Sequence, residues 1–155
     1  MKKILVAGIL HLSVFGFGQK LYTKINDSKI NQERLKVAQD FLNQYLDKCK
    51  NKDYSEFKGF IISKPIEKKM NEERQKACEN TENIKILGFN SAHILDNTKN
   101  DDPVELYIFD INNEKDQSLK YLSTWVYQDK NVIGGLWISK EKPLYRKKES
   151  VSSKN

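Results

Sequence analysis

Chemistry-bearing side chains are scarce in this sequence. Histidine occurs twice in 155 residues, at His11 and His93, and cysteine twice, at Cys49 and Cys78. Such a set makes no structural zinc site, which wants four ligands at a fitting spacing. No serine has a nucleophile-elbow context, and neither cysteine has a histidine partner in sequence. Gly134-Gly135 does not precede a helix, so it offers no phosphate cradle. The loop from Asp96 to Asp102 is acidic, yet it lacks the glycine and the terminal glutamate of the helix-loop-helix calcium pattern, and reads as a solvated turn. Nor does any apolar run reach the roughly 20 residues that a membrane span needs. No metal, no cofactor and no stable membrane anchor is therefore expected.

What the chain does have begins at its start. Met1-Lys2-Lys3 leads into an apolar stretch from Ile4 to Phe17, the layout of a secretory signal. Gly16 and Gly18 bracket Phe17, which places the expected cut between Gly18 and Gln19; an uncleaved anchor is the alternative. Residues 1–18 are thus read as a cleaved signal peptide, and the protein as periplasmic or secreted. The remainder has the length of one domain, and it can bury a core without disulfides or metal. The formal net charge of +6 falls by two with Lys2 and Lys3. That mild excess is spread among many charges of both signs, so with export it argues against a nucleic-acid partner. In an oxidising compartment Cys49 and Cys78 could form one disulfide; two buried thiols on separate helical faces are the equal alternative.

After a short lead-in over residues 19–27, apolar residues at Val37, Ala38, Phe41, Leu42, Tyr45, Leu46 and Cys49 fall at helical steps. Tyr54, Phe57, Phe60, Ile61 and Ile62 read as a broken helix. Pro65 opens a second helix to about Asn80, with Ile66, Met70, Ala77 and Cys78 inward and its charge pairs on a solvated face. From Ile84 the period becomes alternating. Strands are expected over Ile84–Leu95, Val104–Ile111, Leu119–Tyr127 and Val132–Ser139, and their short connections require antiparallel pairing. The fold class is α+β: N-terminal helices packed on a curled four-stranded antiparallel meander. One domain over residues 19–140 and a disordered basic tail over 141–155 complete the organisation.

Strand parity separates an aliphatic set (Val104, Leu106, Ile108, Leu122, Val126, Leu136, Ile138) from an aromatic one. The aromatic set is Tyr107, Phe109, Tyr121, Trp125, Tyr127 and Trp137. Both faces of such a sheet want cover. The aromatic face either packs on the helices or meets a ligand or a second copy of the chain. Gly134-Gly135 fits a bulge or bend in the last strand.

Phe41-Leu42 before Asn51-Lys52-Asp53-Tyr54, and Trp125-Val126 turning at Asp129-Lys130-Asn131 into Gly135-Leu136-Trp137-Ile138, are patterns of type and spacing over about residues 30–140. In them the chain resembles the nuclear transport factor two-like (cystatin-like) superfamily, and within it small exported domains of unknown function. The resemblance implies a cone-shaped cavity between helices and a curled sheet, often with a homodimer across the sheet. Enzymes of that superfamily, ketosteroid isomerase-like and polyketide cyclase-like, use a carboxylate or a His/Asp pair as base in an apolar pocket. Here His93, Asp110 and Tyr107 are the strand residues of suitable type, although no motif joins them, and a structural role for His93 is the simpler one. A cystatin-type inhibitor would show a Gln-x-Val-x-Gly hairpin, and Gln128-Asp129-Lys130-Asn131-Val132 lacks that spacing. The expected function is a non-catalytic exported binding or interaction domain for an unknown protein or a small apolar ligand. The alternatives are a small isomerase- or cyclase-like enzyme and a periplasmic inhibitor- or immunity-like partner protein.

Overall fold

A computed structural model describes residues 22–79, 81, 83–95 and 102–144. The expected signal peptide, the Asp96–Asp101 part of the acidic loop and residues 145–155 of the expected tail lie outside the described residues. The architecture is α+β, with helices first and one antiparallel sheet after them. Helix α1 spans Gln32–Lys50 and α2 spans Lys64–Cys78. Five strands, β1 (Tyr22–Lys24), β2 (Ile84–Leu95), β3 (Val104–Asn113), β4 (Tyr121–Tyr127) and β5 (Ile133–Ser139), lie in sequence order across the sheet. The sheet therefore has one strand more than expected. Residues 22–24, read as lead-in, pair antiparallel with the far end of β2, Tyr22 opposite Leu95 and Lys24 opposite His93. Three residues carry too short an alternation to announce a strand, and only the tertiary pairing makes one.

α1 begins where the side chain of Asn31 accepts from the Arg34 N–H at 2.8 Å, an N-cap that the notable polarity of Asn-Gln-Glu supports. Its inward stripe of Ala38, Phe41, Leu42, Tyr45 and Cys49 is buried as the spacing requires. Residues 51–63 are not a broken helix. The Asp53 side chain accepts from the Ser55 N–H, Gly59 takes φ +83°, and Ile62 bridges in parallel to Ile133. A left-handed glycine and a carboxylate that turns the backbone both oppose helix propagation. Phe57 and Phe60 still reach the core, with ring centres 5.2 and 5.5 Å from Phe41.

The helices cover one face of the sheet. Phe41, Leu42 and Ala38 meet Ala92, Tyr107, Phe109, Ile111, Leu122, Val126 and Ile133 in the main core. A smaller cluster of Tyr22, Leu106 and Ile108 lies on the opposite face, packed with Leu95, Tyr121, Trp125 and Leu144. Leu144 and the Lys142 ammonium, 5.6 Å from the centre of the Tyr121 ring, bring residues expected to be disordered back over the sheet. The apolar Leu144 gains burial there that a purely polar tail would not.

Candidate functional site

Register decides which expected residues meet. Tyr107 pairs with Thr124 and Phe109 with Leu122, whereas Leu106 pairs with Trp125 and Asp110 with Tyr121. Tyr107 and Phe109 consequently face the helices, fully buried. Tyr121, Trp125, Tyr127 and Trp137 belong to the other face. The aromatic set is split, because alternation fixes faces within one strand while register sets the phase between strands.

The expected base candidates are also apart. His93 pairs with Leu106 and Asp110 with Gly88, so four β3 residues, roughly 13 Å of strand, separate them along the sheet. His93 is buried, its Nε2 3.1 Å from the Ser91 hydroxyl. Both Asp110 oxygens accept from the Asn90 amide, at 2.9 and 3.0 Å. Tyr107 points to the opposite face and donates to Glu105. The three do not converge on one cavity, and among the described residues no three His, Cys, Asp or Glu side chains gather as a metal site.

Glu105 belongs to a closed polar cluster that sequence spacing did not reveal. Arg34 Nη1 donates to its Oε1 at 2.9 Å, and Gln128 Nε2 to the same oxygen at 2.8 Å. Arg34 Nε reaches Asn131 Oδ1 at 3.1 Å, and Nη2 reaches the Gln128 carbonyl at 3.2 Å. Asn131 sits in the left-handed region at φ 51°, which asparagine tolerates, and this turns its amide toward the start of α1. Burial first, and then the Glu105 carboxylate, push the Tyr107 phenol far above its ordinary value, so it stays a proton donor. The cluster ties the start of α1 to the start of β3, and both Glu105 oxygens and all three Arg34 nitrogens are engaged in it.

An opening lies between α2 and β5. A groove of about 480 Å³ is walled on one side by Ile66, Met70, Arg74 and Ala77 of α2. Leu136, Trp137 and Trp125 form the other wall, with Tyr45 of α1 also contributing. Lys69 and Glu73 border it. Leu136 belongs to the helix-facing side of β5, while Trp125 and Trp137 belong to the other, so the groove passes over the open edge of the strand.

Gly134 and Gly135 make this possible. The register jumps from Trp125 opposite Gly135 to Val126 opposite Ile133, leaving Gly134 as a bulge, as the glycine pair suggested. A Cβ on Gly134 would sit 2.6 Å from Tyr127 Cε2, and one on Gly135 3.0 Å from Trp125 Cε3. The aromatic rings of β4 lie directly over the two glycines and reach the edge through the space they leave.

Three features of the groove wall bear on its chemistry. Burial raises the Tyr45 phenol above its ordinary value, against smaller opposing effects of a hydrogen bond with Thr81 and of the Arg74 charge. It is a neutral hydroxyl, not a base. Arg74, on the α2 face read as solvated, is buried at 4% exposure. Its Nη1 donates to the carbonyls of Tyr54 and Ser55, its Nη2 to Asn71 Oδ1 at 2.7 Å, and its guanidinium carbon lies 4.7 Å from the Phe57 ring centre. Its Nε has no partner among the described residues. The spacing Met70, Arg74, Cys78 was the available signal, since it continues the inward stripe at steps of four. Finally, Cys49 and Cys78 are joined, S–S 2.07 Å, tying the C-terminal ends of the two helices together beside Tyr45.

No helix among the described residues is long and apolar enough to cross a membrane. Comparison with known protein families, with curated proteins and with solved structures finds no match to this chain.

Proposed function

We propose that this chain is an exported, non-catalytic binding domain, and that its ligand is apolar and sits in the groove between α2 and β5. The observation that carries the reading is the groove: about 480 Å³, within the range of ligand pockets, walled by Ile66, Met70, Leu136 and two tryptophans, with few polar groups. The joined Cys49 and Cys78 support export, because disulfides persist in oxidising compartments. Two helices followed by an antiparallel meander support the cystatin-like reading of the fold, with the binding site displaced from the middle of the sheet to its edge. The isomerase- or cyclase-like alternative loses its footing, since neither His93 nor Asp110 lines the groove. A homodimer across the sheet is disfavoured, because Leu144 and Lys142 of the same chain occupy part of that face.

The test is titration of the purified protein with the neutral apolar fluorophore N-phenyl-1-naphthylamine, alongside Ala77→Glu. Ala77 is exposed in the groove wall, so a charge there blocks the groove without touching the core. Saturable one-to-one binding that weakens at least about tenfold in Ala77→Glu, some 1.4 kcal/mol, is expected. Equal binding by the two proteins would exclude the groove.

A further inference from the structure

We infer that the groove receives an extended peptide strand, apolar along its length and bearing a carboxylate, which adds to the open edge of β5. This rests on the groove being the binding site. The two edges of the sheet differ in a way that points to β5. β1 is three residues long and ends in Lys24, the kind of short, charged edge that resists pairing. β5 has seven residues, Ile-Gly-Gly-Leu-Trp-Ile-Ser, with no charge and no proline. Among the described residues only its first residue is engaged outward: Ile133 donates to the Ile61 carbonyl at 2.8 Å and accepts from the Ser63 N–H at 2.9 Å. Among the described residues no backbone group from outside the sheet hydrogen-bonds Gly134–Ile138. Trp137 on this strand is 57% exposed. A long, uncharged, apolar edge of this kind is a template for another strand.

The shape of the groove selects the occupant. α2 runs beside β5 from Ile66 to Ala77, about 16 Å of helix. That matches about five residues of an extended chain. A slot closed on its far side by α2 admits one strand with free ends; a second copy pairing through its own β5 would bring its own α2 into the same space. Side chains of an added strand alternate in direction, one set toward Tyr45, Met70 and Leu136, the other toward Trp125 and Trp137. Charge complementarity supplies the remaining requirement. Lys69 and Arg74 border the groove against one acid, Glu73, and Arg74 has no carboxylate within ion-pair distance among the described residues. A desolvated guanidinium with no counter-ion favours an anion placed near it. The chain's own Arg146-Lys147-Lys148 segment has the wrong charge to be that occupant.

The experiment selects from a synthetic library of random heptapeptides with free C termini on the purified protein, with Ala77→Glu as counter-selection. The enriched peptide is then titrated by fluorescence anisotropy. Expected are apolar sequences with an acid or the free C terminus at one end. N-methylation of one alternate set of amides should weaken binding at least about tenfold and the other set much less, because only one set faces β5. Lys69→Glu should cost about tenfold, and amide-capping a peptide whose only acid is its C terminus should cost a similar factor. If the fluorophore binds and is blocked by Ala77→Glu while no heptapeptide is enriched, or both N-methylated sets bind unchanged, the strand inference is overturned and the groove reading stands. Binding of fluorophore and peptide that are both indifferent to Ala77→Glu overturns both.

Discussion

Arg34 and Arg74 are both drawn out of water on the inner side of a helix, and their surroundings are opposite. Arg34, in the first turn of α1, meets the buried carboxylate of Glu105 and shares it with Tyr107 and Gln128. Arg74, in the second half of α2, meets backbone carbonyls, an amide and the face of Phe57, and among the described residues no carboxylate. At the start of α1 the buried charges are paired with each other. Toward its other end, a strand edge, an apolar groove and a buried positive charge lie together. The contrast separates a buried cation paired with a carboxylate from one held by carbonyls and an aromatic face, although sequence alone gives both residues as arginines in charged helices.

Removing the two cations should break this comparison most sharply. Arg34→Met leaves Glu105 buried without a cation, and the loss expected for a broken buried pair is about 3–5 kcal/mol. Arg74→Met removes a charge that has no carboxylate partner among the described residues and leaves acceptors on exposed Tyr54, Ser55 and Asn71 that water can reach, so roughly 1–2 kcal/mol is expected. Urea denaturation of both variants reads the difference. Equal losses would mean that Arg74 is as much a part of the folding core as Arg34.

The two helices also differ in how they are held. α1 is fixed at its start by Arg34 and along its length by Phe41 and Leu42, while α2 is tied chiefly by Cys78, Met70 and Arg74. Replacing Cys49 and Cys78 together by alanine should cost about 2–4 kcal/mol, the usual effect of opening a loop of this size. Amide exchange should speed up first in Lys64–Cys78, the groove wall, and later in Gln32–Lys50. The reverse order would show that α2 carries more of the stability than its contacts imply.

Glycine substitutions sharpen the picture of the edge itself. Gly134→Ala drives a methyl group to 2.6 Å from the Tyr127 ring, and the overpacking is expected to cost about 1–3 kcal/mol. Gly135→Ala meets Trp125 at 3.0 Å and should cost less, because a few tenths of an ångström of ring movement relieves it. Thermal or urea unfolding measures both, and in a Trp137→Phe background Trp125 fluorescence reports the shift of the ring in the second variant.

Much of this fold was legible before any coordinates, and the illegible parts share a cause. The stripe from Ala38 to Cys49, the Pro65 start of α2 and the alternation from Ile84 to Leu95 are local patterns, and the elements stand where those patterns put them. β1 could not be read, because Tyr22-Thr23-Lys24 becomes a strand only through Leu95 and His93, some seventy residues away. The division of the aromatic residues was equally hidden: parity is local, but the register that sets Tyr107 opposite Thr124 rather than Trp125 is not. For the groove, the glycine pair was visible as a bend, whereas its meeting with α2 joins segments more than fifty residues apart. Arg74 carried a local signal, four residues after Met70 and four before Cys78, but its charge put it on the face read as solvated, and the structure buries it.

The smallest expected effect on stability is also the most direct test of the contrast between the two ends. Trp125 donates its indole N–H to the Tyr22 hydroxyl at 2.8 Å and packs with Leu106 and Ile108, so it belongs to the body of the sheet. Trp137, one strand further out, is mostly in water. Trp137→Lys places on β5 the charge that protected edges carry, and it buries nothing and unpairs nothing, so its stability should stay within about 0.5 kcal/mol of the parent. Trp125→Ala should instead lose about 2 kcal/mol, since it removes a partly buried ring and the hydrogen bond to Tyr22. If Trp137→Lys is as stable as the parent yet no longer binds the fluorophore, the edge is kept apolar for a ligand. If it loses stability like Trp125→Ala, the exposed tryptophan is packing against part of the chain, and the open end of the molecule is closed by the protein itself.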